Sequence, residues 1–131
     1  MWTHCLAVLL AAMSNFALGA IWYDVRVFGR IWRQEEGLND VQVEKILLRP
    51  KTYIYSFIYA LIAAIGFCLL TRYSTSFEYN LKLAIIVGVL VATSFGVTYQ
   101  FSNRNIRLFF VDAGYHMTRF IIYAFVFWSV R

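Results

Sequence analysis

With 131 residues, 61% hydrophobic and 15% charged, the chain is far more apolar than a soluble domain, where ~45–50% apolar and ~25% charged residues are usual. A water-soluble fold of this length exposes too much of its area to hide such a surface, so a bilayer is the expected solvent. The net charge of +5 sits beside apolar runs and forms no separate basic face, which points to anionic lipid headgroups as partners and away from nucleic acid.

Spans of ~20 apolar residues can cross a bilayer as helices. The first run covers residues 2–23 and contains "CLAVLLAAMSNFALGAIWY". Its "ALGA" at 17–20 imitates a signal-peptide cleavage site, but no Lys or Arg precedes the run and the run is long for a signal core. It is therefore read as a span. The second run is residues 53–70, the third 83–101 and the fourth 108–130. Backbone polar groups in hydrocarbon must be bonded within their own segment, so all four are expected to be helices.

Between the first two spans lies the one sizeable connection, residues 24–52. In "DVRVFGRIWRQ" the basic residues Arg26, Arg30 and Arg33 fall at i, i+4 and i+7, while Phe28, Ile31 and Trp32 share another side. On one helix this gives a basic face for lipid headgroups and an apolar face for the acyl boundary. Gly29 marks a weak point in that helix. Further on, Gly37 breaks the chain, Asn39 or Asp40 caps a short helix, and Pro50 ends it. The connection is expected to fold back onto the headgroups; a regulatory or partner-docking role is the alternative.

Lys and Arg counts set the orientation. Arg26, Arg30, Arg33, Lys45, Arg49, Lys51, Arg104 and Arg107 fall on one side of a four-span arrangement, and Arg72, Lys82 and Arg131 on the other. Eight against three places both termini on the non-cytoplasmic side, in the cell membrane or an organelle membrane. Trp2, Trp22, Tyr23, Trp32 and Trp128 stand near the predicted interfaces, where aromatic rings collect. Cys5 and Cys68 both lie in apolar runs and read as small buried hydrophobes, not as a disulfide.

The fourth span carries the chemistry. Asp112, His116 and Arg119 in "VDAGYHMTRF" share one helix face. A central Arg facing lipid costs from ~2.5 to beyond 10 kcal/mol, so Arg119 must face protein, trapped water or a second subunit. Asp112 is seven residues away, roughly 10 Å along the axis, which is long for a direct pair. His116 bridging the two is one solution; Tyr99, Asn15 or Ser14 reaching Arg119 from neighbouring helices is another. The leading reading of the stripe is an interhelical polar clasp. The alternative is a proton or ion relay through Asp112 and His116, with Arg119 as anion contact. A metal site is not expected, since Asp112 and His116 lack a third and fourth ligand, Cys68 being on another span and His4 near the chain start. No phosphate loop, nucleophile elbow or Cys-x-x-Cys pair is present, so neither cofactor nor enzymatic activity is expected. Gly66, Gly88, Gly96 and Gly114 are read as points of close helix approach; Tyr53, Tyr55, Tyr59 and Tyr115 are read as fillers of interfaces and grooves.

Two stretches, "LGAIWYDVRVFGRIW" (18–32) and "NIRLFFVDAGYHMTRFII" (105–122), resemble signatures of the domain-of-unknown-function-1761 family. The first matches at Gly19, Trp22, Tyr23, Phe28, Gly29 and Trp32. The second matches at Leu108, Phe109, Ala113, Gly114, Tyr115 and His116. The resemblance implies a small four-span membrane protein, of a mostly bacterial group, and no established activity. Two positions depart from the pattern. Asp24-Val25 stands where members usually have a Pro, which predicts that the first helix continues into the interfacial segment. Asp112 stands where they often have Asn. The chain is thus expected to be an all-α, single-domain, four-helix transmembrane bundle with an amphipathic interfacial segment. Its expected role is structural or accessory, in a homo-oligomer or larger membrane complex, with a small ion- or proton-coupled transporter or channel as the alternative.

Overall fold

The computed structural model describes residues 2–73 and 76–130; Arg131 and the side chain of Trp2, both used above, lie outside them. Among the described residues the chain is all-helical, with six helices and no strand. These are α1 (Trp2–Trp22), α2 (Gly29–Glu36), α3 (Asp40–Leu48), α4 (Pro50–Thr71), α5 (Phe77–Phe101) and α6 (Ile106–Val130).

Local chemistry explains the boundaries. Asn39 accepts a hydrogen bond from the Gln42 backbone while the Gln42 side chain accepts one from the Asn39 backbone, so α3 opens with a complete capping box. Pro50 does not merely end α3; it occupies the first turn of α4, where its missing N–H costs nothing. Ser76 caps α5 by accepting from the Tyr79 backbone at 3.3 Å. The α5–α6 turn passes through Asn103 at φ 56°, a left-handed position that Asn tolerates better than most residues.

Three helices are long and apolar enough to cross a membrane: α1, α4 and α5. Only 28%, 22% and 17% of their apolar windows are buried within the chain, so Leu, Ile and Val side chains cover most of the outer surface. Water would reject such a surface; lipid would accept it. The fourth expected span stands apart from these three. Helix α6 is 25 residues long, as long as α5, but it is not among the three, because Asp112, His116 and Arg119 dilute its apolar character.

The packing gives that difference a structural reason. Helix α6 lies against α5 and α1, α1 also packs on α4, and α4 reaches α6 through Phe67 against Phe120, Tyr123 and Phe127. The approach to α5 is close because Ala84, Gly88, Ala92 and Gly96 recur every fourth residue along one face; small residues let membrane helices come together. A Cβ on Gly96 would lie 3.0 Å from the Phe109 ring, and one on Gly88 would collide with Met117. Gly66 behaves otherwise: nothing lies within 4 Å of its would-be Cβ, so it is not a packing point. The core joins Ala7, Ala11, Ala64 and Ala84 to Phe67, Phe120, Tyr123 and Phe127. Of the two cysteines, Cys68 is half-buried and Cys5 is exposed, so neither reaches the full burial expected of it; Cys5 points outward from α1, where lipid would cover it.

The first helix does not run on into the interfacial segment. It stops at Trp22, and residues 23–28 form consecutive turns. Asp24 makes them. Its side chain accepts from the Arg26 backbone at 2.9 Å, and its carbonyl accepts from Val27 and Gly29, each at 2.9 Å. A Cβ at position 29 would sit 2.1 Å from the Tyr23 carbonyl oxygen, so this reversal requires glycine. Arg26 is therefore in a turn and off the helix that holds Arg30 and Arg33.

Candidate functional site

The two sequence stretches singled out above, 89 residues apart, meet in space. Trp22, at the end of α1, donates its indole N–H to the Val111 carbonyl of α6 at 2.9 Å. A helical carbonyl already bonded along its own helix still has a free lone pair, and the indole uses it. Gly114 makes this possible, since a Cβ there would stand 2.7 Å from the Trp22 ring. Phe28 packs on Trp22 with ring centroids 4.7 Å apart, and Trp32 meets Tyr23 edge-on at 5.6 Å. Gly19 leaves room for the Tyr115 hydroxyl, which donates to the Asn15 carbonyl at 3.1 Å. Ala113 and Leu108 are buried beneath this aromatic layer. Trp22, expected at the headgroup boundary, is thus turned into the bundle.

Asp112 is the centre of the cluster. Tyr23, the first residue after α1, donates to its Oδ1 at 2.6 Å, and Tyr99 from α5 donates to its Oδ2. Both oxygens accept phenol hydroxyls from different parts of the chain, and no cation pairs with Asp112 among the described residues. Two of the expected arrangements fail here: Tyr99 serves Asp112 and not Arg119, and His116 does not bridge the acid to the guanidinium. Phe109 and Phe95 flank Tyr99 at 6.5 and 5.3 Å.

His116 and Arg119 form a separate unit. An Arg119 Nη1 lies 3.2 Å from His116 Nδ1. A guanidinium can only donate, so Nδ1 is the acceptor and the imidazole proton sits on Nε2. The His116 ring packs between Phe95 and Tyr115, 5.3 and 5.2 Å away. Arg119 lies over the Phe120 ring at 4.8 Å, and its Nε is buried without a hydrogen-bond partner. No carboxylate pairs with it among the described residues. Asn15 and Ser14, its other anticipated partners, are engaged elsewhere. Ser14 donates to the Ala11 carbonyl. Asn15 donates to the Tyr123 hydroxyl, which in turn reaches the Ala60 carbonyl of α4 at 3.4 Å.

Beside Arg119 lies a slot of about 490 Å³ between α1, α4 and α6, lined among others by Asn15, Phe16, Tyr53, Tyr59, Tyr115 and Arg119. It reaches the α3–α4 end through Leu47 and Thr52. Tyr53 and Tyr59, read from the sequence as groove fillers, form its α4 wall.

Helix α2 closes the loop end of the cluster. Glu36 accepts from Arg104 at 2.6 Å and Glu35 pairs with Arg107 at 3.5 Å, which ties α2 to the α5–α6 connection. The Glu36 carboxylate beside Arg104 holds that guanidinium above its ordinary pKa. Of the expected headgroup residues, Arg26 and Arg30 are exposed, and Arg26 pairs with Asp24 at 3.2 Å. Arg33 is not on a free basic face: its side chain is 24% exposed and binds Asp40 at 2.8 Å. Reasoning from sequence missed Glu35 and Glu36, and it missed Tyr23 and Tyr123 as interhelical donors. The signal available was their position: each Tyr is one polar atom in an apolar span, and two acids precede Gly37 while Arg104 and Arg107 flank the start of α6.

Fold and site together define a small all-helical protein with membrane-type helices packed around a polar centre on α6. The family model described as Protein of unknown function (DUF1761) matches residues 6–128, and the chain belongs to that family. No curated protein and no solved structure gives a match to the chain.

Proposed function

We propose that this is a non-enzymatic integral membrane protein with a structural or accessory role, in which α6 is a fourth span held by a polar clasp. The observation that carries the reading is Asp112, whose two oxygens take hydroxyls from Tyr23, just past the end of α1, and from Tyr99 of α5, and so tie the end of α1, α5 and α6 together through one side chain. In hydrocarbon a satisfied polar contact of this kind selects one packing over others, though each is worth only ~0.6 kcal/mol on average. The lipid-facing shell of α1, α4 and α5 supports an integral location. Eight basic residues on the loop side support termini on the non-cytoplasmic face, and exposed Arg26 and Arg30 support contact with anionic headgroups. Assembly into a homo-oligomer or a larger membrane complex completes the reading.

The test combines extraction and flux. Native extraction in mild detergent should recover the chain in a stoichiometric assembly, and Asp112→Asn should lower its thermal stability. Recovery as a lone monomer overturns the accessory role. The second reading, a small ion- or proton-coupled transporter, is favoured by the slot that brings Arg119 within reach from outside. Proteoliposomes showing flux that Asp112→Asn and His116→Ala abolish without loss of folding would replace the first reading with the second.

A further inference from the structure

We infer that the slot between α1, α4 and α6 is a binding site for a membrane-dissolved monocarboxylate of the fatty-acid type, its carboxylate on Arg119 and its chain among Phe16, Tyr53 and Tyr59. The inference goes beyond the accessory reading: Arg119 lies about two turns past Asp112 on the same stripe of α6, and Tyr23, which donates to Asp112, also lines the slot.

Charge and depth carry it. Arg119 lies thirteen residues into α6, about 20 Å from its start, at mid-depth if α6 spans. A cation there requires an acceptor or water. The obvious counter-charge, Asp112, is committed to Tyr23 and Tyr99. His116 supplies one neutral lone pair, the Tyr123 phenol stands beside the group as a second neutral neighbour, and Nε remains buried and unbonded. The guanidinium thus has unused donors and an unbalanced charge, and it borders a slot of about 490 Å³, within the ~300–1,000 Å³ usual for small-molecule sites. The pairing of a planar donor fork with a carboxylate is the contact this group makes best.

The walls specify the rest of the ligand. They are mainly aromatic and aliphatic, so the body of the ligand is apolar and a single negative charge suffices. Phe16 stands within 6.3 Å of both Tyr53 and Phe57 across the α1–α4 seam. Tyr53 and Tyr59 are 45% and 72% exposed, so the slot is reachable sideways from the acyl region. A fatty acid suits such a route. Its protonated form moves through hydrocarbon, and at Arg119 it loses its proton to solvent through the loop-side end of the slot at Thr52.

The experiment uses the full chain in phosphatidylcholine nanodiscs with the fluorescent fatty acid cis-parinaric acid as probe. Saturable one-to-one binding is expected, displaced by palmitate and not by methyl palmitate, which has no acidic proton. Arg119→Gln should weaken binding about tenfold or more, as loss of a charge-assisted hydrogen bond does, and Arg119→Lys should recover part of it. Ser56→Trp, at an exposed position on the slot wall, should block binding with folding intact and keeps the test valid if Arg119→Gln does not fold. Arg30→Gln, exposed on α2 and not among the residues lining the slot, should leave affinity unchanged. Non-saturable uptake, equal binding by Arg119→Gln or Ser56→Trp, or displacement by methyl palmitate would overturn the assignment. So would equal displacement by phosphatidylglycerol, which would make a phospholipid phosphate the occupant.

Discussion

Tyr23 at the end of α1 and Asp112 on α6, 89 residues apart, share a 2.6 Å hydrogen bond. With Tyr99 on the other carboxylate oxygen, the acid becomes the node at which three helices are fixed in depth and rotation. Removing either phenol hydroxyl leaves a partly buried carboxylate oxygen without its donor. Tyr23→Phe and Tyr99→Phe should each cost about 1–3 kcal/mol. Their double mutant should depart from additivity by more than about 0.5 kcal/mol, because the two donors share one acceptor. Equilibrium unfolding in detergent measures both; strict additivity would show that the two bonds are independent.

Glycines should fall into two groups. Gly29→Ala places a methyl against the Tyr23 and Asp24 backbone, and backbone cannot step aside, so loss of the α1–α2 turn or of folding is expected. Gly114→Ala presses on the Trp22 ring and should cost about 1–3 kcal/mol by overpacking, with a shift in tryptophan emission. Gly66→Ala meets nothing and should stabilise α4 by up to about 1 kcal/mol through higher helix propensity. A destabilised Gly66→Ala would indicate a second chain packed on that face.

The α2 strap should answer to salt. Glu36→Gln and Arg104→Gln should each cost less than about 1 kcal/mol, and the cost should shrink as ionic strength rises. Exchanging the two, Glu36→Arg with Arg104→Glu, should restore most of what either reversal loses. Hydrogen exchange along 29–36 is the readout. Unchanged protection in both single reversals would mean that α2 is held by Trp32 and Phe28 alone.

Acid should loosen the α1–α2 turn. The Arg26 side chain and backbone, both bonded to Asp24, hold its carboxyl below the usual range. A carboxyl depressed in the folded chain adds stability above its unfolded pKa of about 4, and that contribution is lost as pH falls through the lower folded value. Amide exchange at Val27 and Gly29 should therefore rise as pH drops below about 4, after correction for the intrinsic rate, and Asp24→Asn should remove that step. Identical profiles for the two proteins would assign the turn to Gly29 and not to Asp24.

Much of the fold was legible because hydrocarbon leaves a chain few choices: the four apolar runs became α1, α4, α5 and α6, and the capping box at Asn39 and the break at Gly37 fall where the residue types put them. The stripe on α6 was legible as a face, since spacing of four and three fixes direction. Its partners were not. Which of Tyr99, Asn15 and Ser14 meets Arg119 depends on helix rotation and depth, and in a span an isolated phenol carries no sign of the acceptor it will find. Periodicity also misled at Arg26, whose place on an i, i+4, i+7 face assumed a helix that Asp24 and Gly29 interrupt. The close α5–α6 seam was present all along in Ala84, Gly88, Ala92 and Gly96, a repeat hidden by looking for glycine alone.

Helix α6 is the segment least suited to lipid, and it is flanked on both sides by α1 and α5, which precede it in the chain. On a ribosome, Trp22, Tyr23 and Tyr99 would already be embedded when Asp112 emerges. With α6 as the proposed fourth span, its partition into the bilayer would be a docking event guided by segments made before it, and truncations that omit α1 should leave α6 stranded at the translocon.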